Sequence, residues 1–438
     1  MKTLIIAGGK GTRLQGVVSN IPKPMIKIGD KTVLEHQVEL FRRYGITNFL
    51  FLTGYLSESI SDYFGNGKKF QVSITYDREP YPLGTAGCIK NAAKYLDDDF
   101  IVVNGDQMMD FDVGRMVKFH KEKCAAATLF LHPNDHPYDS DLVEINDNSE
   151  VVKVFPKPHP TGVFYRNLVN AGVYIFGKKV MSYLADGEKA DIGKDLLPRI
   201  ISSGDVVAGY VSPEYVKDMG TPDRLEKVTN DLLSGKIAAC NWEHKRPAIF
   251  LDRDGVINKE INLLSKIDDF ELLPGVSGAI KKLNESGYLC VVVTNQPVIA
   301  RNLVDFNELQ AIHNKMEWLL GHDHCFLDAI YFCPHHPDKG YPEERPAYKI
   351  DCDCRKPKPG MILLAACDLN IDLTRSYIVG DRESDIRAGI NAGVSTVLVK
   401  TNGDYWSDEG VAADFRAESL PEAVEKILVE SGPLFNAL

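Results

Sequence analysis

The sequence predicts an α/β protein built as two consecutive domains, each around a mostly parallel sheet. Three observations lead there. The chain has 438 residues, more than one hydrophobic core accommodates and enough for two domains of about 200 residues each. Short apolar runs alternate with amphipathic stretches in both halves, as strands do when crossover helices join them. In each half, residues able to carry chemistry fall just past the ends of apolar runs, where open parallel sheets place their sites.

In the first half, residues 3–7, 48–53 and 100–104 read as strands, and 33–44 as a helix because Leu34, Val38 and Phe41 share a face. A second wave of strands is expected at 126–131, 168–176 and 206–211, closed by a helix over 221–233. Residues 234–246 show no sustained period and run into Pro247, so they read as a linker between domains 1–233 and 247–438. Beyond it, strands at 248–251, 289–294, 376–379 and 396–399 alternate with helices at 275–286, 306–320 and 361–369. The chain shows no internal repeat.

Composition narrows the function. A hydrophobic content of 44% with 25% charged residues is ordinary for a globular protein, and no apolar run approaches the ~20 residues of a membrane span. The opening Met-Lys-Thr-Leu-Ile-Ile-Ala is cut short by Gly8 and Gly9, so it reads as a first strand rather than a secretory leader, and a cytoplasmic location is expected. The formal charge of −11 opposes broad nucleic-acid binding. Small phosphorylated partners stay compatible, because a local glycine loop, Lys, Arg or Mg²⁺ holds a phosphate whatever the global charge. Nine cysteines, an odd number, argue against a disulfide framework. A homo-oligomer is compatible with the sequence.

The first candidate site starts at Gly8, Gly9 and Gly11, which follow a strand and leave backbone N–H groups free to converge on a phosphate chain; Thr12 and Arg13 come next. Pro22-Lys23-Pro24-Met25 holds a lysine in a stiff turn, Gly84 and Thr85 of Leu-Gly-Thr-Ala-Gly can bring backbone against a base, and Asp106 stands past a buried strand. Asp218 can complete a Mg²⁺ site, while Lys157, Asn170 and Gly172 line the partner substrate. In this order, GGxGTRL, PKPM, LGTAG, NGD, FPKP, NAGVY and DMGTP resemble the sugar-1-phosphate nucleotidyltransferases across residues 1–233. The resemblance implies a Rossmann-like fold that transfers a nucleoside monophosphate from an NTP to a sugar 1-phosphate. It also implies that Asp106 and Asp218 bind Mg²⁺, Arg13 and Lys23 the triphosphate, and Lys157 the sugar phosphate.

The second candidate site begins with Asp252 and Asp254 at the end of an apolar run, two carboxylates that project the same way. Asp252 can attack a phosphomonoester and Asp254 can protonate the leaving oxygen, then activate water. Thr294 can hydrogen-bond the phosphoryl oxygens, Lys356 can neutralise them, and Asp381 can join Asp252 and Asp254 around Mg²⁺. Cys333, His335, Cys352 and Cys354 form two close pairs, the ligand set of a closed structural zinc site, with His336 a neighbour only. Zinc there would aim Arg355 and Lys356 at the phosphate. The other six cysteines read as packing residues.

The order DxDG, TNQ, RKPxPG and GDRxxD resembles the haloacid-dehalogenase phosphatases over residues 247–400. The CPHHP and CDCRKPKPG segments resemble the heptose 1,7-bisphosphate 7-phosphatases, with histidinol phosphatases close by. Asn295, Gln296 and Arg301 are then substrate contacts. Two loops depart from that pattern, Pro297-Val298 where the family has Ser-Gly and Asn262-Leu263-Leu264 where it has Gly-Tyr-Val. A 7-phosphatase yields the heptose 1-phosphate that a nucleotidyltransferase consumes, and the first half looks most like guanylyltransferases. The resemblances therefore imply one enzyme making GDP-D-glycero-α-D-manno-heptose with GTP. Two alternatives stay open: another sugar phosphate with UTP or CTP, and a histidinol-phosphatase-like C-terminal activity with a regulatory nucleotide-binding first half.

Overall fold

The computed structural model describes residues 1–9, 21–54, 56–79, 81–338, 340, 343–407 and 410–435. Gly11, Thr12 and Arg13 lie outside the described residues.

The first sheet grows from strand Lys2–Ala7, flanked in parallel by Asn48–Thr53 and Phe100–Asn104, with Ser73–Arg78 parallel beyond the former. Strand Val169–Phe176 runs antiparallel to Phe100–Asn104 and carries the sheet on toward Ala127–His132 and Val207–Val211. The central strands of this sheet are buried on both faces, which is why they read as nearly unbroken apolar runs. Leu4, Leu50, Leu52 and Val102 point into one core, and Ile5, Phe49, Phe51 and Val103 into the other. Helix Val33–Arg43 covers the second face with Leu34, Val38 and Phe41. Its start is set by Thr32, whose hydroxyl accepts from Glu35 N while the Glu35 carboxylate accepts from Thr32 N. Helix Pro222–Leu233 begins on a Thr221 cap with proline in its first turn.

The second sheet is six-stranded and parallel. Counted in chain order from Ala248–Leu251, its strands lie in the order 3-2-1-4-5-6, so the direction of winding reverses between Ala248–Leu251 and Tyr377–Gly380. A crevice at the carboxyl ends of the strands opens at that switch. Asp252 and Asp381 each follow one of these two strands.

Between the sheets, residues 236–239 form a short helix whose Lys236 is buried, its ammonium donating to Asn284 O (2.7 Å) and Glu285 O (3.1 Å) of the second half. Cys88, Cys240, Cys290 and Cys325 are packed as expected, but Cys124 and Cys367 are exposed. Cys124 closes a helix with positive φ at the surface, and Cys367 lies on an outward face of Gly360–Asp368. No helix among the described residues is long and apolar enough to cross a membrane.

Phe51 anchors the second core of the first sheet, fully buried and edge-on to Phe49, Phe64 and Tyr76. Phe51→Ala is expected to destabilise this half by ~3–5 kcal/mol, read as an earlier transition in urea unfolding followed by circular dichroism.

Candidate active sites

The first site forms where the strand ends meet the Tyr215–Asp218 and Gln107–Asp110 ribbon. That antiparallel pair sets Asp218 opposite Gln107, and Met219 N donates to Asp106 O (3.1 Å), so Asp106 and Asp218 are backbone neighbours. Each carboxylate holds a cation. Lys23 Nζ is 3.2 Å from Asp106 Oδ2, and Arg224 reaches both oxygens of Asp218 at 2.9 and 3.0 Å. Burial would raise the Asp218 carboxyl, but Arg224 and the Gly220 N–H hold it below its ordinary range. Lys157 Nζ donates to Asp139 O (2.7 Å) and Oδ1 (3.0 Å), and its backbone N–H donates to Asp141.

Asp106, Lys157, Asn170, Gly172, Asp218 and Arg224 line one cavity of about 380 Å³. Gly172 has φ +75°, and a Cβ there would come within 2.5 Å of the Asn104 and Gln107 amides. Gly8 packs on Gly54, where a Cβ would meet backbone at 3.3 Å, whereas a Cβ on Gly9 would meet none of the described residues within 4 Å. The Leu-Gly-Thr-Ala-Gly segment starts helix Gly84–Asn91 rather than a loop. Its glycines let it press on residues 188–190, and the Thr85 hydroxyl donates to Asp191 (2.8 Å).

The second site lies at the switch of the parallel sheet. Lys356 is buried, with Nζ 2.8 Å from Asp252 Oδ1, 2.6 Å from Asp385 Oδ1 and 2.8 Å from Val293 O. Asn295 braces it through both backbone groups. Burial lifts the Asp252 carboxyl to about 6 despite Lys356. Asp381, which accepts from the Thr401 hydroxyl (2.6 Å), is pushed to about 8 by burial and its acidic neighbours. Asp252, Asp381 and Asp385 offer oxygens within 4.8 Å of one another, and Asp381 Oδ1 is buried with no hydrogen-bond partner among the described residues. Three carboxylates around one ammonium leave excess negative charge, which fits a divalent cation with oxygen ligands. Gly255 at φ +87° makes room, since a Cβ there would lie 2.6 Å from Asp381 Oδ2.

The Asp254 side chain turns away from this cluster. Burial favours its neutral form, but Arg253 (2.9 Å to each oxygen), Asn258 (2.9 Å) and Gln296 (2.7 Å) donate to it and hold the carboxyl below its usual range. Gln296 also reaches the Thr294 hydroxyl at 2.9 Å. Arg253 is fully buried and donates to His313 Nε2 (3.2 Å), whose ring burial keeps neutral, with a pKa near 3.

The Sγ atoms of Cys333, Cys352 and Cys354 lie 3.2–3.5 Å apart, and His335 Nδ1 is 3.4 Å from Cys354 and 3.7 Å from Cys333. These approach the ~3.8 Å edges of a tetrahedron around Zn²⁺ with ~2.3 Å bonds to sulfur, so the donor set fits zinc. His336 stays outside the group. Arg355 and Lys356 diverge: Arg355 NH1 donates back to His335 O (2.9 Å), and Lys356 alone reaches Asp252. Arg301 closes a turn on Pro297 O in the loop after Gln296. In the two loops that depart from the family pattern, Leu263, at φ +66°, packs against the cluster that contains Val298.

Asp385, Arg224 and Asp139, and Arg253 and Asn258 beside Asp254, were not singled out from the sequence. Asp385 stands one helical turn past Asp381 and was legible as the last carboxylate of GDRxxD; Arg224 and Asp139 had no local signal.

A nucleotidyl transferase family model matches residues 2–235, and a HAD hydrolase-like model matches 353–424. The D-glycero-beta-D-manno-heptose-1,7-bisphosphate 7-phosphatase of Yersinia pestis is 41% identical over 182 residues, 41% of this chain and 95% of that protein. Its Escherichia coli K12 counterpart is 44% identical over 184 residues, 41% of this chain and 94% of that protein. The crystal structure of HddC from Yersinia pseudotuberculosis aligns with 53% of this chain and 99% of its own at 27% identity and a TM-score of 0.47. The chain belongs to the nucleotidyl transferase family and, over its C-terminal half, to the HAD phosphatases. It is a bifunctional enzyme.

The full burial of Arg253 generates a test. Arg253→Met strands the Asp254 carboxylate in the interior without its guanidinium, and is expected to cost ~3–5 kcal/mol in urea unfolding of the second half.

Proposed function

We propose that the C-terminal domain, residues 247–438, removes the 7-phosphate of D-glycero-D-manno-heptose 1,7-bisphosphate. The N-terminal domain, residues 1–233, then transfers GMP from GTP to the heptose 1-phosphate, releasing pyrophosphate. The observation that carries this is the coexistence, in one chain, of an Asp252–Lys356–Asp381–Asp385 cluster on a domain more than 40% identical to heptose bisphosphatases and a nucleotidyl transferase site needing the product. GTP as donor is supported by the resemblance of the first half to guanylyltransferases.

In the phosphatase, an Asp252 oxygen attacks phosphorus, the bond to the sugar oxygen breaks, and Asp254 delivers a proton to that oxygen. Water then attacks the aspartyl phosphate, Asp254 takes its proton, and phosphate leaves with Asp252 restored. Arg253, Asn258 and Gln296 favour the carboxylate of Asp254 at rest, and the arriving phosphate dianion raises its proton affinity. Lys356 and the Thr294 hydroxyl face the phosphoryl oxygens. Asp252, Asp381 and Asp385 are the residues that would hold Mg²⁺, which would supply further charge neutralisation.

In the transferase, the sugar phosphate oxygen attacks the α-phosphorus and pyrophosphate departs, with no protein nucleophile. Lys23, Arg224 and Lys157 are each paired with a carboxylate at rest. Incoming phosphates take over the cations and free the carboxylates; Asp106 and Asp218 are the residues that would hold Mg²⁺, which offsets charge at the α-phosphorus.

Asp252→Asn is expected to lower phosphate release by about a thousandfold or more while leaving transfer to heptose 1-phosphate intact, and Asp106→Asn the reverse. Product mass spectrometry with GTP, CTP, UTP and ATP is expected to show GDP-heptose as the dominant product; another nucleotide sugar would overturn the base assignment. The Cys333, His335, Cys352 and Cys354 cluster is proposed to hold one structural Zn²⁺ per chain, read by elemental analysis. Stripping zinc with a zinc-selective chelator, with Mg²⁺ kept in excess, is expected to cripple phosphatase activity and leave nucleotidyl transfer largely intact.

A further inference from the structure

Helix Phe306–His322 of the phosphatase turns Leu309, Ile312, Met316 and Leu320 into the interior. Its other side lies on the transferase. Asn314, Glu317 and Trp318 meet the transferase segment that carries Lys157, and Gly321, on the same helix face, meets Pro137. Asn314 Nδ2 donates to Phe164 O (3.4 Å), and the buried Glu317 Oε2 accepts from Asn167 N (3.1 Å). Asn167 in turn exchanges two hydrogen bonds with Asn134 (2.7 and 3.1 Å). Gly321 sits under Pro137, where a Cβ would come within 2.4 Å of the proline ring, and His322 stacks on Tyr138 at 5.4 Å.

Trp318 is the centre of this contact. Its ring is edge-on to both His159 (5.8 Å) and Tyr165 (6.0 Å), and Tyr165 packs on Phe155 at 4.6 Å. Phe155 and His159 stand two residues on either side of Lys157, so one phosphatase side chain braces that lysine from both directions. Phosphatase residue His324 also lines the cavity that Lys157 enters.

We propose that Trp318 and Glu317 are positioning residues of the transferase, holding the Lys157 segment in the shape that receives the sugar 1-phosphate. This rests on reading Lys157 as an acceptor-phosphate contact. The acceptor half of the transferase site is then completed by the phosphatase domain, whereas Gly8 and Asp106 follow the ends of strands of the first sheet and Lys23 lies in the single helical turn Lys23–Met25.

The test uses the full-length chain with Trp318→Ala, Trp318→Phe, Glu317→Ala and Glu317→Gln. Trp318→Ala and Glu317→Ala are expected to raise the KM for heptose 1-phosphate about tenfold, with the KM for GTP and phosphatase kcat/KM within about twofold of the parent. Glu317→Gln, whose amide oxygen still accepts from Asn167 N, and Trp318→Phe, which keeps a ring, are expected to retain most of the parent acceptor KM. Hydrogen exchange over residues 155–167 is expected to quicken in the two alanine variants. An acceptor KM unchanged in both alanine variants, or a parallel loss of GTP binding and phosphatase activity, would overturn the proposal. Should the parent protein transfer to no sugar 1-phosphate, the functional reading falls, and the exchange measurement decides this one separately: unchanged protection over 155–167 overturns it.

Discussion

One buried ammonium organises the phosphatase. Lys356 is drawn into the interior by Asp252 and Asp385 together with the carbonyl of Val293, and a buried cation is tolerable only with partners this close. Much of the surrounding structure serves to bring it there. Asn295, at the end of a central strand, clamps its backbone on both sides, and the residue two positions before it is Cys354 of the cysteine–histidine cluster. A metal at that cluster would fix the direction from which Lys356 enters. The remaining negative charge of Asp252, Asp381 and Asp385 is what a divalent cation would neutralise before a phosphate can approach.

The transferase meets the same demand differently. Its cations and carboxylates neutralise one another pairwise in the absence of ligand, Lys23 with Asp106, Arg224 with Asp218 and Lys157 with Asp139. Such pairs near a solvent-filled cavity contribute little stability. A phosphate would offer these cations a stronger partner than a single carboxylate does. Both sites sit at the carboxyl ends of parallel strands, because there the backbone stops pairing and leaves side chains and N–H groups free to turn toward a ligand.

Much of this was legible in the sequence because parallel strands buried on both faces leave long apolar runs, and those at 48–53, 100–104 and 248–251 coincide with observed strands. The site residues were legible where they follow such runs directly, as Asp106, Asp252 and Asp381 do. Gly84–Asn91 was less so, since glycines that permit close helix packing look the same in sequence as glycines of a ligand loop. The turning of Asp254 toward Arg253, Asn258 and Gln296, and the Arg224 bond to Asp218, depend on rotamers that no spacing specifies. Contacts between the halves leave no local trace: Trp318 meets His159 and Tyr165 across some 150 positions of chain.

The central claim is that one chain performs two phosphorus reactions in sequence on one sugar. The most direct measurement is a ³¹P NMR time course of the full-length protein with Mg²⁺, GTP and D-glycero-D-manno-heptose 1,7-bisphosphate. Inorganic phosphate is expected first, then pyrophosphate together with the paired resonances of a nucleotide diphosphate sugar that carries no monoester phosphate. A nucleotide sugar that keeps its 7-phosphate, or phosphate release with no diphosphate resonances, would contradict it.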